Sequence, residues 1–420
     1  MKNISRFFTL YWIVYFPTCI AYNDLPGFSS VDEAMTLLLL LYTFMMYGSK
    51  YINKKPWKEF MVCLGLIAFY TVYSLFFGAN VSGGVWLDLM QEIRPYSIIF
   101  CTWILNPQFT RKQKKWMLIT MVATLFSWIM YHPQALDSQV EAEFPVLGLL
   151  AICTGMSYYL FTKDTKMNRL IALGLVLTGM LAPKFKFMGE VVCFIAFIFF
   201  LKHRLNFKSP KTMIYCALVM FVVLIVTWSK FDVYYVSGLD NEYLARPMTY
   251  KTSVKILWDY LPFGSGMGSF ACNGAWKYYS PLYFTYNLDG IWGLSPDTGY
   301  FICDAYYPTL AQFGIVGVFF FCWFWKRRLA TFDIIADMRY YRVAMITFCC
   351  LAIEQTADSS WLSGKGMGYC MLIALCLNAN RNQMMEMKRQ QMLKLKKEQL
   401  LGTKSQNVIN KEKNEVLAIN

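Results

Sequence analysis

Apolar stretches of about 15–23 residues recur along almost the whole chain, and that is the length a helix needs to cross a hydrocarbon layer about 30 Å thick. A water-soluble fold is excluded by the same feature. With 57% of 420 residues hydrophobic and only 16% charged, such a chain would expose too much apolar surface to stay dispersed. The expected fold class is therefore all-α, a polytopic membrane protein of about twelve transmembrane helices. The spans fall near 7–22, 33–49, 59–77, 86–106, 115–131, 144–162, 168–182, 188–202, 212–228, 303–325, 342–357 and 364–378. The stretch from Met1 to Tyr22 has a basic start and an apolar middle but no small-residue cleavage site, so it reads as a first span and not as a removed signal. Nothing in the sequence resembles a soluble domain with its own core.

Charge placement orients these helices. The formal charge is +14, yet the basic residues sit in alternate loops, which points to topology and not to nucleic acid. One set of loops carries Lys50, Lys54, Lys55 and Lys58, then Arg111, Lys112, Lys114 and Lys115, Lys163, Lys166 and Arg169, Lys202, Arg204, Lys208 and Lys211, and Lys326, Arg327 and Arg328. The other set holds Asp24, Asp32 and Glu33, then Asp137, Glu141 and Glu143, then Asp358. Both termini fall on the basic, cytoplasmic side of an inner membrane. The short loop with Lys184 and Lys186 breaks the pattern, being basic on the outer face.

The organisation is nine helices over 1–228, a large outer (periplasmic) loop over 229–302, three more helices over 303–378 and a basic cytoplasmic tail over 379–420. A loop of about seventy residues within a compact protein is functional or disordered. Disorder does not fit its aromatic content. Within it, Tyr250, Val254, Leu257, Trp258 and Leu261 recur at spacings of three and four, with Lys251, Lys255 and Asp259 opposite. That pattern predicts an amphipathic helix on the outer membrane surface, ending at Pro262.

Ionisable groups at the edge of the hydrocarbon are costly and so are candidates for function. Four cations qualify on the outer side: Arg94, Lys184, Lys186 and Arg246. Together they suit a phosphate or pyrophosphate, whose charge they would neutralise. The plainer readings are an ion pair of Arg94 with Asp88 or Glu92 in its own helix, snorkelling of the two lysines to headgroups, and a surface charge at Arg246. Gly264, Gly266 and Gly268 alternate in PFGSGMGSF, allowing a tight turn close to a ligand, or only a tight turn. This is neither a Walker loop nor a dinucleotide fingerprint. Trp276, Tyr279, Tyr283 and Tyr307 are candidates for sugar stacking, against the rival reading of an interfacial aromatic belt. Asp289, Asp297 and Asp304 are the acids nearby, any one of which could orient or deprotonate an acceptor hydroxyl. With 13 scattered cysteines and two histidines, no metal-ligand spacing exists and no metal is expected. Cys272 and Cys303 lie in or beside the loop; a disulfide between them is the weaker of two readings, because sequence fixes no distance.

Arg246 to Phe270, followed by Phe301 to Val318, resembles the O-antigen polymerase and ligase superfamily. In that family a loop arginine is followed by a proline and a Gly-x-Gly-x-Gly-x-Phe turn, as Arg246 is here by Pro262 and PFGSGMGSF. A His-Asn motif, an apolar helix and a Gly-x-x-Gly pair come next; FICDAYYPTLAQFGIVG ends in Gly314 and Gly317. Counted back from Gly314, Cys303 stands at the histidine position and Asp304 at the asparagine position, a departure from the pattern; the only outer histidine is His132.

The resemblance implies a GT-C-like membrane glycosyltransferase of inverting type, in the bacterial inner membrane. Its donor would be an undecaprenyl-pyrophosphate-linked glycan and its acceptor another glycan or a lipid, with membrane lipid and other polysaccharide-assembly proteins as partners and no cofactor. Arg246, Arg94, Lys184 and Lys186 would hold the pyrophosphate, Gly264, Gly266 and Gly268 would shape the backbone beneath it, and Asp304 would orient the acceptor hydroxyl. Polymerase is the first reading and ligase the second. A lipid-linked oligosaccharide transporter is the rival from another class, expected to show internal repeats and midplane ionisable residues; a scaffold for assembly proteins is a third.

Overall fold

The computed structural model describes residues 2–24, 30–131, 145–181, 184–387 and 391–392. The loop bearing His132, Asp137, Glu141 and Glu143, and the basic tail from Lys394 onward, lie outside the described residues. Among the described residues all regular structure is helical. The helices are α1 (Lys2–Asp24), α2 (Val31–Met45), α3 (Trp57–Phe77), α4 (Ser82–Leu105), α5 (Arg111–Tyr131), α6 (Pro145–Phe161), α7 (Lys166–Leu177), α8 (Phe185–Ile195), α9 (Pro210–Tyr235), α10 (Ala245–Asp259), α11 (Asn273–Lys277), α12 (Leu282–Thr285), α13 (Tyr306–Thr309), α14 (Gly314–Asp333), α15 (Met338–Glu354) and α16 (Met367–Leu377). Every apolar segment named above overlaps one of them.

Among the described residues, three helical runs are long and apolar enough to cross a membrane: α3, α9, and the continuous run from Tyr306 to Asp333 through α13 and α14. The others are shorter or more polar; α4, for instance, carries Asp88, Glu92 and Arg94. α9 is the clearest sign of an apolar environment. None of its residues is buried, and Ile214, Leu218, Phe221 and Ile225 stand open. A 26-residue helix of that composition is stable only with hydrocarbon or a partner around it.

Local chemistry sets several ends. Pro210 at the first position of α9 gives up an amide that has no helical partner anyway. Thr165 caps α7, its hydroxyl accepting from Asn168 N at 3.3 Å. α4 closes on Asn106 in the left-handed region, whose amide donates to Thr102 O at 3.1 Å.

α4 and α16 form the centre. α16 is apolar on every side and buried along its length, and it packs on α4 and α15; α4 also packs on α2 and α3, and α15 on α8. The end of α14 is fixed by Arg328, which pairs with Glu59 while its guanidinium lies 4.6 Å from the Trp103 ring centroid. Asn378 begins a second unit, helical over 379–387.

The segment 229–302 has a core of its own, contrary to the expectation from sequence. Phe270, Leu282, Tyr283, Leu288, Leu294 and Ile302 are fully shielded there, packed with Ile256 of α10. These residues are spaced irregularly between tight turns, so no periodic signal announces them. α10 forms where the three-and-four spacing predicted it. It turns Thr249, Thr252 and Ile256 inward and leaves Val254, Trp258 and Leu261 of the apolar stripe exposed. Cys272 and Cys303 are both free thiols, and Cys272 Sγ accepts from Ala275 N instead of bridging.

Candidate functional site

The glycine turn is the hinge that seats the loop. Gly264, Gly266 and Gly268 have φ of 82°, 91° and 75°, the region that only glycine enters without strain. Each meets backbone closely: a Cβ on Gly264 would lie 2.3 Å from Gly314 N, and one on Gly268 would lie 2.5 Å from Gly84 C. Gly266 packs likewise on Gly78. The turn is buried, and its hydrogen bonds go to protein. Gly268 N donates to Asp88 Oδ2 at 3.0 Å, Gln312 Nε2 donates to the same oxygen at 2.7 Å, and Met267 N donates to Ser74 Oγ at 2.6 Å. These glycines clamp the loop onto α3, α4 and the start of α14, and no open space lies over them for a ligand to fill.

Arg246 sits in the first turn of α10, and Asp304 two residues ahead of the apolar run that begins at Tyr306. Arg246 Nε donates to Asp304 Oδ2 at 2.7 Å and Nη2 donates to the same oxygen. The guanidinium also lies 4.3 Å from the centroid of the Tyr234 ring. Both side chains keep a fraction of solvent access, 15% and 21%. Burial works against the Arg246 charge, and Asp304 overrides it, holding the group firmly cationic. Burial pushes the Asp304 carboxyl above the usual carboxylate range, against the downward pull of Arg246. Cys303, at the position where the resemblance expects histidine, is a neutral thiol, pushed up to about 12 by burial and then by the Asp304 charge.

Two of the three remaining cations are engaged within the protein. Arg94 is 2% exposed; its Nη2 donates to Glu33 Oε1 at 2.6 Å, its Nη1 lies 2.7 Å from Asp32 Oδ2, and it also donates to Leu362 O. Its partners therefore come from α2, and not from Asp88 or Glu92 of its own helix. Lys186 donates to Glu354 Oε2 at 2.8 Å and to Asp358 Oδ2 at 2.9 Å, where Lys365 joins at 3.1 Å. Lys184 is half-exposed just before α8, with no ion pair among the described residues. Of the four candidates, Arg94 and Lys186 are thus each held by two carboxylates, Arg246 by one, and Lys184 by none among the described residues.

One segment links these sites: residues 354–366, between α15 and α16. Thr356 O accepts from Tyr235 and Tyr250 hydroxyls at 2.6 and 2.9 Å, beside Arg246. Ser359 donates to Cys303 O, and Gln355 O accepts from Tyr306 N at 3.1 Å, flanking Asp304. Leu362 O holds Arg94, and Asp358 holds both lysines. Sequence reasoning missed this segment. Its clue was Asp32, Glu33 and Asp358, which were read only as topological charge and are counterions of Arg94 and Lys186.

The aromatic candidates separate. Trp276 is 43% exposed. Tyr279 is half-buried and donates to Leu294 O at 3.0 Å. Tyr307 is half-buried and donates to Ala352 O at 3.0 Å. Tyr283 is fully buried inside the loop, its ring stacked on Phe270 and its hydroxyl accepting from Ala271 N, so its face is covered by protein. Beneath the loop a narrow groove opens between α3, α4 and α14, walled by Leu66, Tyr70, Tyr96, Phe313 and Phe320, with Glu92 its single charged wall. Among the described residues no group of acidic, cysteine or histidine side chains could hold a metal ion. No family model, curated protein or solved structure matches this chain.

Proposed function

We propose that the chain is a membrane-embedded polymerase that joins undecaprenyl-pyrophosphate-linked oligosaccharide repeat units at the periplasmic face. The observation that carries this reading is the Arg246–Asp304 pair: a cation held by one carboxylate oxygen and one aromatic face, partly open, at the outer edge of an apolar helix. A diphosphate offers the guanidinium better-matched oxygens than a single carboxylate does. Binding would displace Asp304 from Arg246 and free a carboxylate with an elevated proton affinity to take the proton of the acceptor hydroxyl. Arg246, with Lys184 as the second open cation, would stabilise the charge that develops on the leaving diphosphate. Arg94 and Lys186 would hold the platform through residues 354–366. The polyprenyl chain would lie in the groove between α3, α4 and α14. In this reading the twelve apolar segments are spans, both termini are cytoplasmic, and Trp276 and the outer face of Tyr279 border the sugar path.

Transfer to lipid A core or another acceptor, the ligase reading, uses the same groups. A lipid-linked oligosaccharide transporter has one observation in its favour: Asp88, Glu92 and Glu190 are buried ionisable residues within the helices. The glycan profile of a deletion strain separates the three. Single-repeat products are expected for loss of a polymerase. Free lipid-linked polymer would mean a ligase, and repeats retained on the inner leaflet would mean a transporter.

A further inference from the structure

The buried carboxyl of Glu190 plays no part in the transfer chemistry proposed above. It sits on α8, wholly shielded, and its Oε2 accepts from the Tyr369 hydroxyl of α16 at 2.9 Å. Its Oε1 meets no donor among the described residues. Lys186, one helical turn earlier on α8, donates to Glu354 at the end of α15 at 2.8 Å, which brings this second carboxyl against Glu190. Glu354 Oε2 in turn accepts from Lys186 and from Ser360 Oγ at 2.9 Å.

Two carboxylates in contact inside protein cannot both be charged without large cost, whereas one proton between them turns the orphaned oxygen into half of a hydrogen bond. The surrounding charges point the same way. Glu190, Glu354 and Asp358 face the two ammonium groups of Lys186 and Lys365. One added proton makes this cluster neutral; without it the helices would enclose an unpaired negative charge. The neighbouring charges are Asp304, which faces Asp358 and Lys186, and its partner Arg246; as an ion pair they add no net charge to the cluster. α6 and α15 present the thiols of Cys153 and Cys350, α8 that of Cys193, α16 the Tyr369 hydroxyl, and α9 presents Val223 and Thr227 against Gly189, with Lys230 lying over Phe185.

We propose that Glu190 and Glu354 form a proton-binding site that holds one shared proton within the helix bundle. The pair lies at the inner end of a chain that runs Lys365, Asp358, Lys186, Glu354, Glu190, Tyr369. Losing the proton would leave Lys186 facing an excess of carboxylate, so the proton's presence fixes the position of the 354–366 segment. This site stands independently of the glycan chemistry.

Infrared spectroscopy of the purified protein in detergent or lipid tests it without any activity assay. The expected result is a carbonyl stretch of a protonated carboxylic acid that shifts when glutamate carboxyl carbons are isotopically labelled and stays unshifted when aspartate is labelled. Glu190→Gln should remove that band while the protein stays helical and monodisperse, because the amide can donate to Glu354 as the shared proton does. Glu354→Gln should remove it as well. The comparison is made in a Glu92→Gln background, so that the buried carboxyl of the groove wall adds no band; a spectrum there with no glutamate-sensitive acid band at neutral pH overturns the proposal whatever the variants do, and so does a band that survives both substitutions.

Discussion

Arg246 reaches Asp304 through two of its nitrogens, yet both hydrogen bonds end on the same oxygen, Oδ2. That is less than the two-oxygen grip a guanidinium makes on a well-matched carboxylate or phosphate. The pair keeps some access to solvent. Such a pair can be opened by a stronger anion, unlike the closed triad of Arg94, Asp32 and Glu33.

Asp304→Asn removes the carboxylate that would take a proton and leaves the Arg246 charge in place. Turnover should fall by about 100-fold or more while donor KM stays level or drops. The wild-type rate should decline in acid, because a base works only when ionised. Since burial raises the Asp304 carboxyl, this decline should fall above the usual aspartate value of about 3.9 and be missing from the residual activity of the variant. An unchanged rate removes Asp304 from the mechanism.

Arg94→Ala strands Asp32 and Glu33 in a buried setting. A loss of about 3 kcal/mol or more is expected, read as a lower thermal midpoint in detergent. The triple change Arg94→Met, Asp32→Asn, Glu33→Gln should recover most of it. Full stability of Arg94→Ala alone would show the triad to be idle.

Gly268→Ala places a methyl group on the Gly84 backbone at a positive φ, and should leave little folded protein by fluorescence-detected chromatography. Gly290→Ala, where nothing lies within 4 Å, is the matched neutral control. Equal yields from the two would contradict the clamping role of the turn.

A single cysteine at Trp276, in a chain whose exposed cysteines are replaced, should react with a membrane-impermeant maleimide from the periplasmic side. Reaction only after the cytoplasmic face is opened would reverse the proposed orientation.

Helix positions were legible from sequence because a 3.6-residue geometry and a hydrocarbon layer together demand long apolar runs. α10 was legible from its stripe. The ion pairs were not. Arg94 and Glu33 are 61 residues apart, Lys186 and Asp358 are 172 apart, and no local pattern records such meetings. The nearest acids in the Arg94 helix are committed elsewhere: Asp88 to Gly268 and Gln312, and Glu92 to the groove wall. The alternating glycines were visible in the sequence. That they fit backbone against backbone, and not backbone against ligand, depends on Gly78, Gly84 and Gly314, which come from distant parts of the chain. The core of the loop escaped notice for the same reason that short irregular segments usually do, since its buried residues follow no period.

The most direct test of the transfer reading is reconstitution of the purified protein in liposomes with a lipid-linked repeat unit and no other protein, with product length read on gels. The wild type should yield a ladder of lengthened glycan and release undecaprenyl pyrophosphate, and Arg246→Ala, at the same protein level, should yield neither. A ladder of normal length from Arg246→Ala would contradict the account.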